Sequence, residues 1–221
     1  KISKNSSTTC GDWGVMNAPR GSEKGLDFFV PDPWSYEEKA YPKLLDDFLS
    51  LPRYMAKNYL SPKFFKLLSK TKKTLSFIVK NMGHGNSRKI IKHFIKACIY
   101  AGLNIHSLTT LLDYMNCLYF IKYRKKYNSD FSIIFLNHLA HLQHHFWNKN
   151  GKISNQMKFG LKTCDVILGE LKKNLRPNES IILLNGLNQK NVQNMGNFIY
   201  RQKDPERFIK NICPIKCEVK Q

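Results

Sequence analysis

The sequence predicts an α/β fold in which a mostly parallel β-sheet carries a large helical insertion. Residues 131–136 (FSIIFL) and 180–186 (SIILLNG) are short, apolar and β-branched, which is typical of strands buried on both faces of a sheet. Residues 155–174 lie between them and repeat apolar side chains at helical spacing, and the order strand–helix–strand indicates a parallel sheet. A long helical pattern at residues 36–126 comes before these elements and predicts the insertion.

The first segment of the chain, residues 1–35, is predicted to consist mainly of loops. Its stretch GDWGVMNAPRG is either a glycine-rich anion-binding loop, with Asp12 as an acid and Arg20 as a phosphate clamp, or a plain surface loop. Because the stretch has neither GK[ST] nor GxGxxG, the surface loop is the simpler interpretation. The following LDFFVPDPW predicts a short extended piece, in which Asp32 belongs either to a sugar-binding wall or to a rigid turn.

Four helical patterns follow in order: YPKLLDDFLSL, SPKFFKLLSKTKKTLSFIVKNM, SRKIIKHFIKACIYAGL and SLTTLLDYMNCLYFIKYRKKY. Near the end of the chain, NFIYRQ predicts a third strand, and Asp204 with Pro205 suits the start of a short helix. We therefore expect three segments, which are a loop-rich part of an α/β domain at residues 1–35, a helical insertion or cap at residues 36–128 and an α/β core segment at residues 129–221.

The charge of the chain predicts an anionic partner. The 221 residues carry a net charge of +20, and the segment from Lys57 to Leu103 contains eleven Lys or Arg but no acidic residue. However, 29 of the 36 basic residues are Lys, whereas readout of bases and bidentate clamping of phosphates favour Arg. The composition thus argues against nucleic acid and favours an anionic lipid or glycan.

Three further expectations concern the cellular location of the chain, whether it is a fragment, and the state of its cysteines. No run reaches the roughly 18 apolar residues that a membrane span needs, and no signal peptide is visible, so we expect a cytoplasmic protein without a transmembrane segment. The chain starts with Lys1 rather than Met, so we expect a fragment or a processed chain. Its six cysteines include no CxxC pair of a zinc site, and free thiols in a reducing compartment are the simplest interpretation.

Four of the seven histidines lie directly behind the predicted strand at residues 131–136, together with Asn137. Ligands of open α/β sheets bind at the carboxyl ends of the strands, so this position favours a binding site. His141 and a histidine four residues later can ligate one divalent ion from a helix, while His138, His144 and His145 can donate to a phosphate or sulfate group or act as general acid or base. Alternatively, the histidines only hydrogen-bond backbone at a helix start and pack with aromatic neighbours.

The stretch FLNHLAHLQHHFW resembles the alkaline phosphatase superfamily, in particular a type I phosphodiesterase/nucleotide pyrophosphatase-like branch associated with surface-polysaccharide genes. In that group an Asp at a strand end is followed four residues later by a metal-binding His, and Asn137 and His141 stand at these two positions. FFVPDPWSYEEKAYPKLLDDFLSLPRYMAKN and IILLNGLNQKNVQNMGNFIYRQKDPERFI are similar to other regions of the branch, so that the resemblance spans most of residues 14–209.

The resemblance implies an alkaline-phosphatase-like fold and a metal-dependent hydrolase or transferase of phosphoesters, or of related sulfate or phosphonate esters. The substrate would be a surface glycan or a nucleotide-like molecule that bears phosphate or sulfate. Zinc or manganese would be held by His141 and Asn137, and the nucleophile is expected upstream of Lys1. Because Gly186 and Leu187 stand where the superfamily has metal ligands, a catalytically degenerate binding or assembly protein remains an alternative. The net charge of +20 leaves a basic nucleic-acid-binding module as a less favoured one.

Overall fold

The computed structural model describes residues 8–15, 25–58, 61–102, 104, 108–146, 152–184 and 211. The chain divides into two compact units, residues 1–189 and 190–221, and all elements named here belong to the first unit. In chain order they are β1 (Cys10–Val15), β2 (Phe28–Pro31), α1 (Leu45–Asn58), α2 (Phe64–Asn81), α3 (His84–Ala101), α4 (Leu108–Tyr127), β3 (Phe131–Ile134), α5 (His138–Phe146) and α6 (Asn155–Lys173).

The three described strands form a parallel sheet in the order β2–β1–β3, which confirms the α/β class at the coarse level. The central strand β1 lies where loops were predicted, so that prediction is wrong for residues 10–15. Two glycines obscured the strand in the sequence, and Gly14, with a φ of 77°, occupies a β-bulge between Trp13 and Val15. The extended piece predicted before Asp32 is confirmed as β2.

The core lies between one face of the sheet and the helices α1 and α4. Trp13 of β1 is fully buried, and its indole lies about 6 Å from the rings of Phe28, Phe48, Tyr119 and Tyr123. Helix α4 is buried around most of its circumference, which explains why its sequence shows little amphipathic pattern. The four predicted helices are confirmed as α1 to α4, and the predicted helix at residues 155–174 is confirmed as α6.

The strand predicted at residues 180–186 is not found over residues 180–184, where the backbone forms no strand and the run Ile181–Leu184 is exposed. A β-strand needs a neighbouring strand with which its backbone can form hydrogen bonds, and no described strand pairs with this run. Residues 185 and 186, NFIYRQ and the predicted helix start at Asp204 lie outside the described residues. Strand β3 is confirmed but is not buried on both faces, because Phe131 and Ile133 are exposed.

None of the described helices combines the length and the apolar character that a bilayer crossing requires.

Candidate active site

The carboxyl ends of the three parallel strands share one edge of the sheet, and polar residues gather there. Asp32 directly follows β2, while Asn137 and His138 follow β3 after a short connection. Asp113 of α4 joins them and is buried, as are Asp32 and His138. The edge that the sequence predicted as a binding region is therefore polar and largely shielded from solvent.

Asp113 fixes the start of α5. Its Oδ2 atom accepts hydrogen bonds from the backbone N–H groups of Asn137 at 2.7 Å and His138 at 2.8 Å. Its Oδ1 atom accepts from the side chain of Asn116, which itself accepts from the indole N–H of Trp13 at 3.1 Å. A carboxylate at a helix N-terminus satisfies otherwise unpaired N–H groups and complements the helix dipole. Asp113 is thus held from both α5 and the core.

The imidazole of His138 connects Asp113 to Cys164 of α6. Its Nδ1 atom lies 2.9 Å from Oδ2 of Asp113, and its Nε2 atom lies 3.3 Å from Sγ of Cys164 and 3.1 Å from the carbonyl oxygen of Gly160. The side chain of His138 is 1 % exposed, whereas Cys164 is only partly buried. The three side chains form a continuous acid–imidazole–thiol relay, called here the Asp113–His138–Cys164 relay.

Both ring nitrogens of His138 face acceptors, which favours the doubly protonated imidazolium. Burial works against the charge, but the hydrogen bonds to Asp113 and Cys164 outweigh it and raise the pKa of His138 to about 10. Cysteine attacks as the thiolate, and Nε2 of His138 lies next to the sulfur atom that has to lose its proton. The relay therefore has the order of groups found in thiol nucleophiles with an orienting acid.

Gly160 allows the close approach of α5 and α6 that the relay needs. A Cβ atom at this position would lie 2.5 Å from Cδ1 of Leu142 and 3.2 Å from Cδ2 of Leu139. Because Gly160 and Cys164 are four residues apart, both face α5 from the same side of α6. Because Gly160 has no side chain, α6 packs close enough to α5 for the thiol of Cys164 to reach the imidazole of His138.

A second buried histidine, His93 of α3, lies beside this site in the neutral form. Its Nε2 atom is 3.3 Å from Oγ1 of Thr163, and its ring lies 4.5 Å from the ring of Tyr114. Burial, together with the positive charges of Lys96 and His138, lowers the pKa of His93 to about 4. His138 is therefore protonated at neutral pH, whereas His93 is neutral.

Two further carboxyl groups, one in the sheet and one directly after a strand, have raised pKa values, which favour their neutral forms. Burial, to which the charge of Asp113 adds, raises the pKa of Asp32, although the N–H of Trp34 donates to its Oδ1 atom at 2.8 Å. Burial also raises the pKa of Asp12 to about 6, and its Oδ1 atom has no hydrogen-bond partner among the described residues. Register places Asp12 beside Phe29 and Ile133, within the sheet and before its carboxyl edge.

The other predicted site residues lie on or next to α5, except Arg20, which lies outside the described residues. His141 is half-buried, and its ring centroid lies 4.9 Å from that of the exposed His145, while His144 is also exposed. The backbone oxygen of Asn137 accepts from the N–H of His141 at 3.0 Å.

A metal ion needs at least a third protein ligand to be held firmly at such a site. Within the described part of the chain, no group of three or more His, Cys, Asp or Glu side chains could hold a metal ion. Among the described residues, His141 and Asn137 therefore do not belong to a group of three such side chains, and the zinc or manganese site that the resemblance implies stays a prediction.

Two members of the relay were missed in the sequence. Asp113 is the only acidic residue between Leu108 and Tyr127, in a stretch rich in apolar and aromatic residues, and such a lone charge signals a buried partner. The signal at Cys164 is its spacing of four residues from Gly160, but only the packing of α5 on α6 shows that His138 lies opposite.

No protein-family model, no curated protein and no solved structure matches this chain.

Proposed function

We propose that this chain is a hydrolase or transferase of acyl groups in which Cys164 is the nucleophile, His138 is the acid–base group and Asp113 orients the imidazole. The observation that supports this proposal is the geometry of the relay, in which Nε2 of His138 lies 3.3 Å from Sγ of Cys164 and Nδ1 lies 2.9 Å from Oδ2 of Asp113. The first distance suits proton transfer between the nucleophile and its base, and the second suits the hydrogen bond by which Asp113 orients the base.

The reaction proceeds in two balanced steps. The thiolate of Cys164 attacks the carbonyl carbon of an ester or thioester, the new C–S bond forms, and the bond to the leaving group breaks while His138 Nε2 gives the leaving group its proton. A water molecule, or an acceptor alcohol or amine, then attacks the thioester and gives a proton to His138. This attack releases the acid or the transferred acyl product and restores the thiolate and imidazolium.

The charges around the relay suit acyl transfer. Burial and the charge of Asp113 raise the pKa of Asp32, so its neutral form is favoured beside the ion pair of Asp113 and His138. An uncharged ester or thioester can therefore approach the thiol without electrostatic repulsion. The imidazolium stabilises the negative charge that develops in the transition state.

The test uses p-nitrophenyl acetate with the full chain. We expect a burst of p-nitrophenolate and an acetyl group on the peptide that contains Cys164, as measured by stopped-flow absorbance and peptide mass spectrometry. Cys164→Ser should abolish the adduct, and His138→Gln should slow acylation by about 100-fold or more. The matched control is Cys98→Ser on α3, since Cys98 is also a partly buried thiol. Equal acetylation of Cys98 and Cys164 in the wild-type chain would refute the proposal.

A second candidate function is the transfer or hydrolysis of a phosphoester, as the resemblance to the alkaline phosphatase superfamily implies. The observation in its favour is that Asp32, Asn137 and His138 lie at the carboxyl edge of a parallel sheet. It is tested by activity on an aryl phosphodiester with zinc or manganese that is lost in His141→Ala. Activity that survives metal chelation and this substitution would speak against it.

A further inference from the structure

Helix α2 carries an exposed apolar stripe that the core does not use. Phe64, Leu68, Leu75 and Val79 are 53–77 % exposed, although each is large and apolar. Their spacing of four, seven and four residues places all four side chains on one face of the helix. The opposite side of α2 provides the contacts to α1, among them the buried Thr74, whose hydroxyl receives the backbone N–H of Leu51. The stripe therefore points away from the packed side.

Basic side chains flank this stripe, and acidic ones are lacking. The segment from Lys57 to Leu103 contains eleven Lys or Arg and no Asp or Glu. Two of the eleven, Lys73 and Lys89, form ion pairs with acids of α1 and α6. Lys66, Lys72 and Lys80 of α2 are exposed beside the stripe. Such a positive surface attracts an anionic one from a distance of about 10 Å.

Helix α3 repeats the combination. Ile91, Ile95 and Ile99 are 51–70 % exposed, and their spacing of four residues places them on one face. Arg88, Lys92 and Lys96 are exposed at neighbouring positions. Two consecutive helices thus each present an apolar stripe with basic flanks, which is the pattern of helices that lie in a membrane interface.

We propose that α2 and α3 are docking helices that bind the surface of an anionic phospholipid membrane. The apolar stripes enter the region between headgroups and acyl chains, while the Lys and Arg side chains extend to the lipid phosphates. Nucleic acid fits less well, because its surface offers phosphates but no layer into which Phe64 or Val79 could insert. Helices that lie on the bilayer in this way need not cross it.

The test is flotation of the full chain with vesicles of phosphatidylcholine alone and of an equimolar mixture with phosphatidylserine. We expect binding to the mixed vesicles, little binding to phosphatidylcholine alone, and release by high salt. Leu68→Ser combined with Val79→Ser should weaken binding to mixed vesicles at least tenfold, and Lys66→Glu combined with Lys72→Glu should do the same. These side chains are exposed, so circular dichroism and the melting temperature should stay close to wild type.

The matched control is Ile182→Ser, which removes an equally exposed apolar side chain outside the helices and should leave vesicle binding unchanged. If Ile182→Ser reduced vesicle binding as much as the α2 variants do, the proposal would be overturned, because binding would then depend nonspecifically on any exposed apolar side chain. Absence of binding to the mixed vesicles would overturn it as well. So would sedimentation showing that the α2 stripe joins two copies of the chain, with vesicle binding unaffected by the α2 variants.

Discussion

Asp113 is the residue on which the geometry of the candidate site depends most. Its Oδ2 atom receives three donors at 2.7–2.9 Å, two from the backbone at the start of α5 and one from the ring of His138. These donors hold the carboxylate in place, and its hydrogen bond orients the imidazole and raises the pKa of His138. The same contact therefore stabilises the fold and orders the relay.

Gly160 offers a test of the packing that brings the relay together. Gly160→Ala would place a Cβ atom 2.5 Å from Cδ1 of Leu142, so the buried side chain of Leu142 would have to shift or α5 and α6 would have to separate. We expect a loss of about 1–3 kcal/mol in the free energy of unfolding, as for other overpacked sites. Displacement of Cys164 from His138 should also slow acylation of the thiol by 10-fold or more. Urea denaturation and the p-nitrophenyl acetate burst measure the two effects.

The control for this substitution lies on the same helix. A Cβ atom at Gly169 would meet nothing within 4 Å, so Gly169→Ala should raise the free energy of unfolding by about 0.5–1 kcal/mol through better helix propensity. It should leave acylation of Cys164 unchanged. A Gly160→Ala variant that gains stability as Gly169→Ala does would show that α5 and α6 are not closely packed.

At the scale of elements, an ion-pair network anchors the chain after α6 to the turn between α4 and β3. The carboxylate of Glu179 lies 2.7 Å from guanidinium nitrogens of both Arg124 and Arg176. Arg176 also donates to the carbonyl oxygen of Ser129 at 2.8 Å and contacts Asn128. The network therefore links the end of α6 to the beginning of β3, which lie far apart in the sequence.

Glu179→Gln tests this link. Desolvation opposes ionisation of Glu179, but the hydrogen bonds from Arg124 and Arg176 prevail and lower its pKa to about 2, against an ordinary value of 4.5. The depressed pKa means that the ion pairs stabilise the fold fully above about pH 4.5, and that this contribution is lost as the pH falls toward 2. We expect Glu179→Gln to lower the free energy of unfolding by on the order of 1 kcal/mol at neutral pH. In urea titrations, a difference that persists unchanged at the lowest pH would contradict this account.

Helices and the strand β3 could be predicted because their signals are local. Apolar residues at helical spacing and a β-branched run identify α2, α6 and β3 from neighbouring residues alone. Strand β1 could not be found in this way, since it contains two glycines and an acid and is stabilised by pairing with β2 and β3 from distant parts of the chain.

The candidate site could be predicted only in part for the same reason. Its location behind β3 and the presence of His138 follow from the order of strand and histidines along the chain. The pairing of His138 with Asp113 and Cys164 joins residues 25 and 26 positions away on other helices, and only the packing of α4, α5 and α6 brings them together.

At the scale of the whole molecule, the core and the candidate site form one continuous set of contacts. The indole of Trp13 at the centre of the sheet donates to Asn116, Asn116 donates to Asp113, and Asp113 accepts from His138. Packing of the central strand on α4 therefore determines where the carboxylate lies. A change in the protonation of either buried histidine should consequently affect the stability of the whole described unit.

The summed contribution of the two buried histidines to the free energy of unfolding is greatest near pH 6.5. The pKa of His93 is lowered to about 4, so neutral His93 stabilises the fold fully above its ordinary value of 6.5, and this contribution is lost as the pH falls toward 4. The pKa of His138 is raised to about 10, so its imidazolium stabilises the fold fully below pH 6.5, and this contribution is lost as the pH rises toward 10. In urea denaturation across this range, His93→Phe should remove the loss in the free energy of unfolding that His93 causes below pH 6.5. His138→Gln should remove the loss that His138 causes above pH 6.5. A fall above pH 6.5 that is as steep in His138→Gln as in the wild-type chain would mean that the imidazolium is not buried between Asp113 and Cys164.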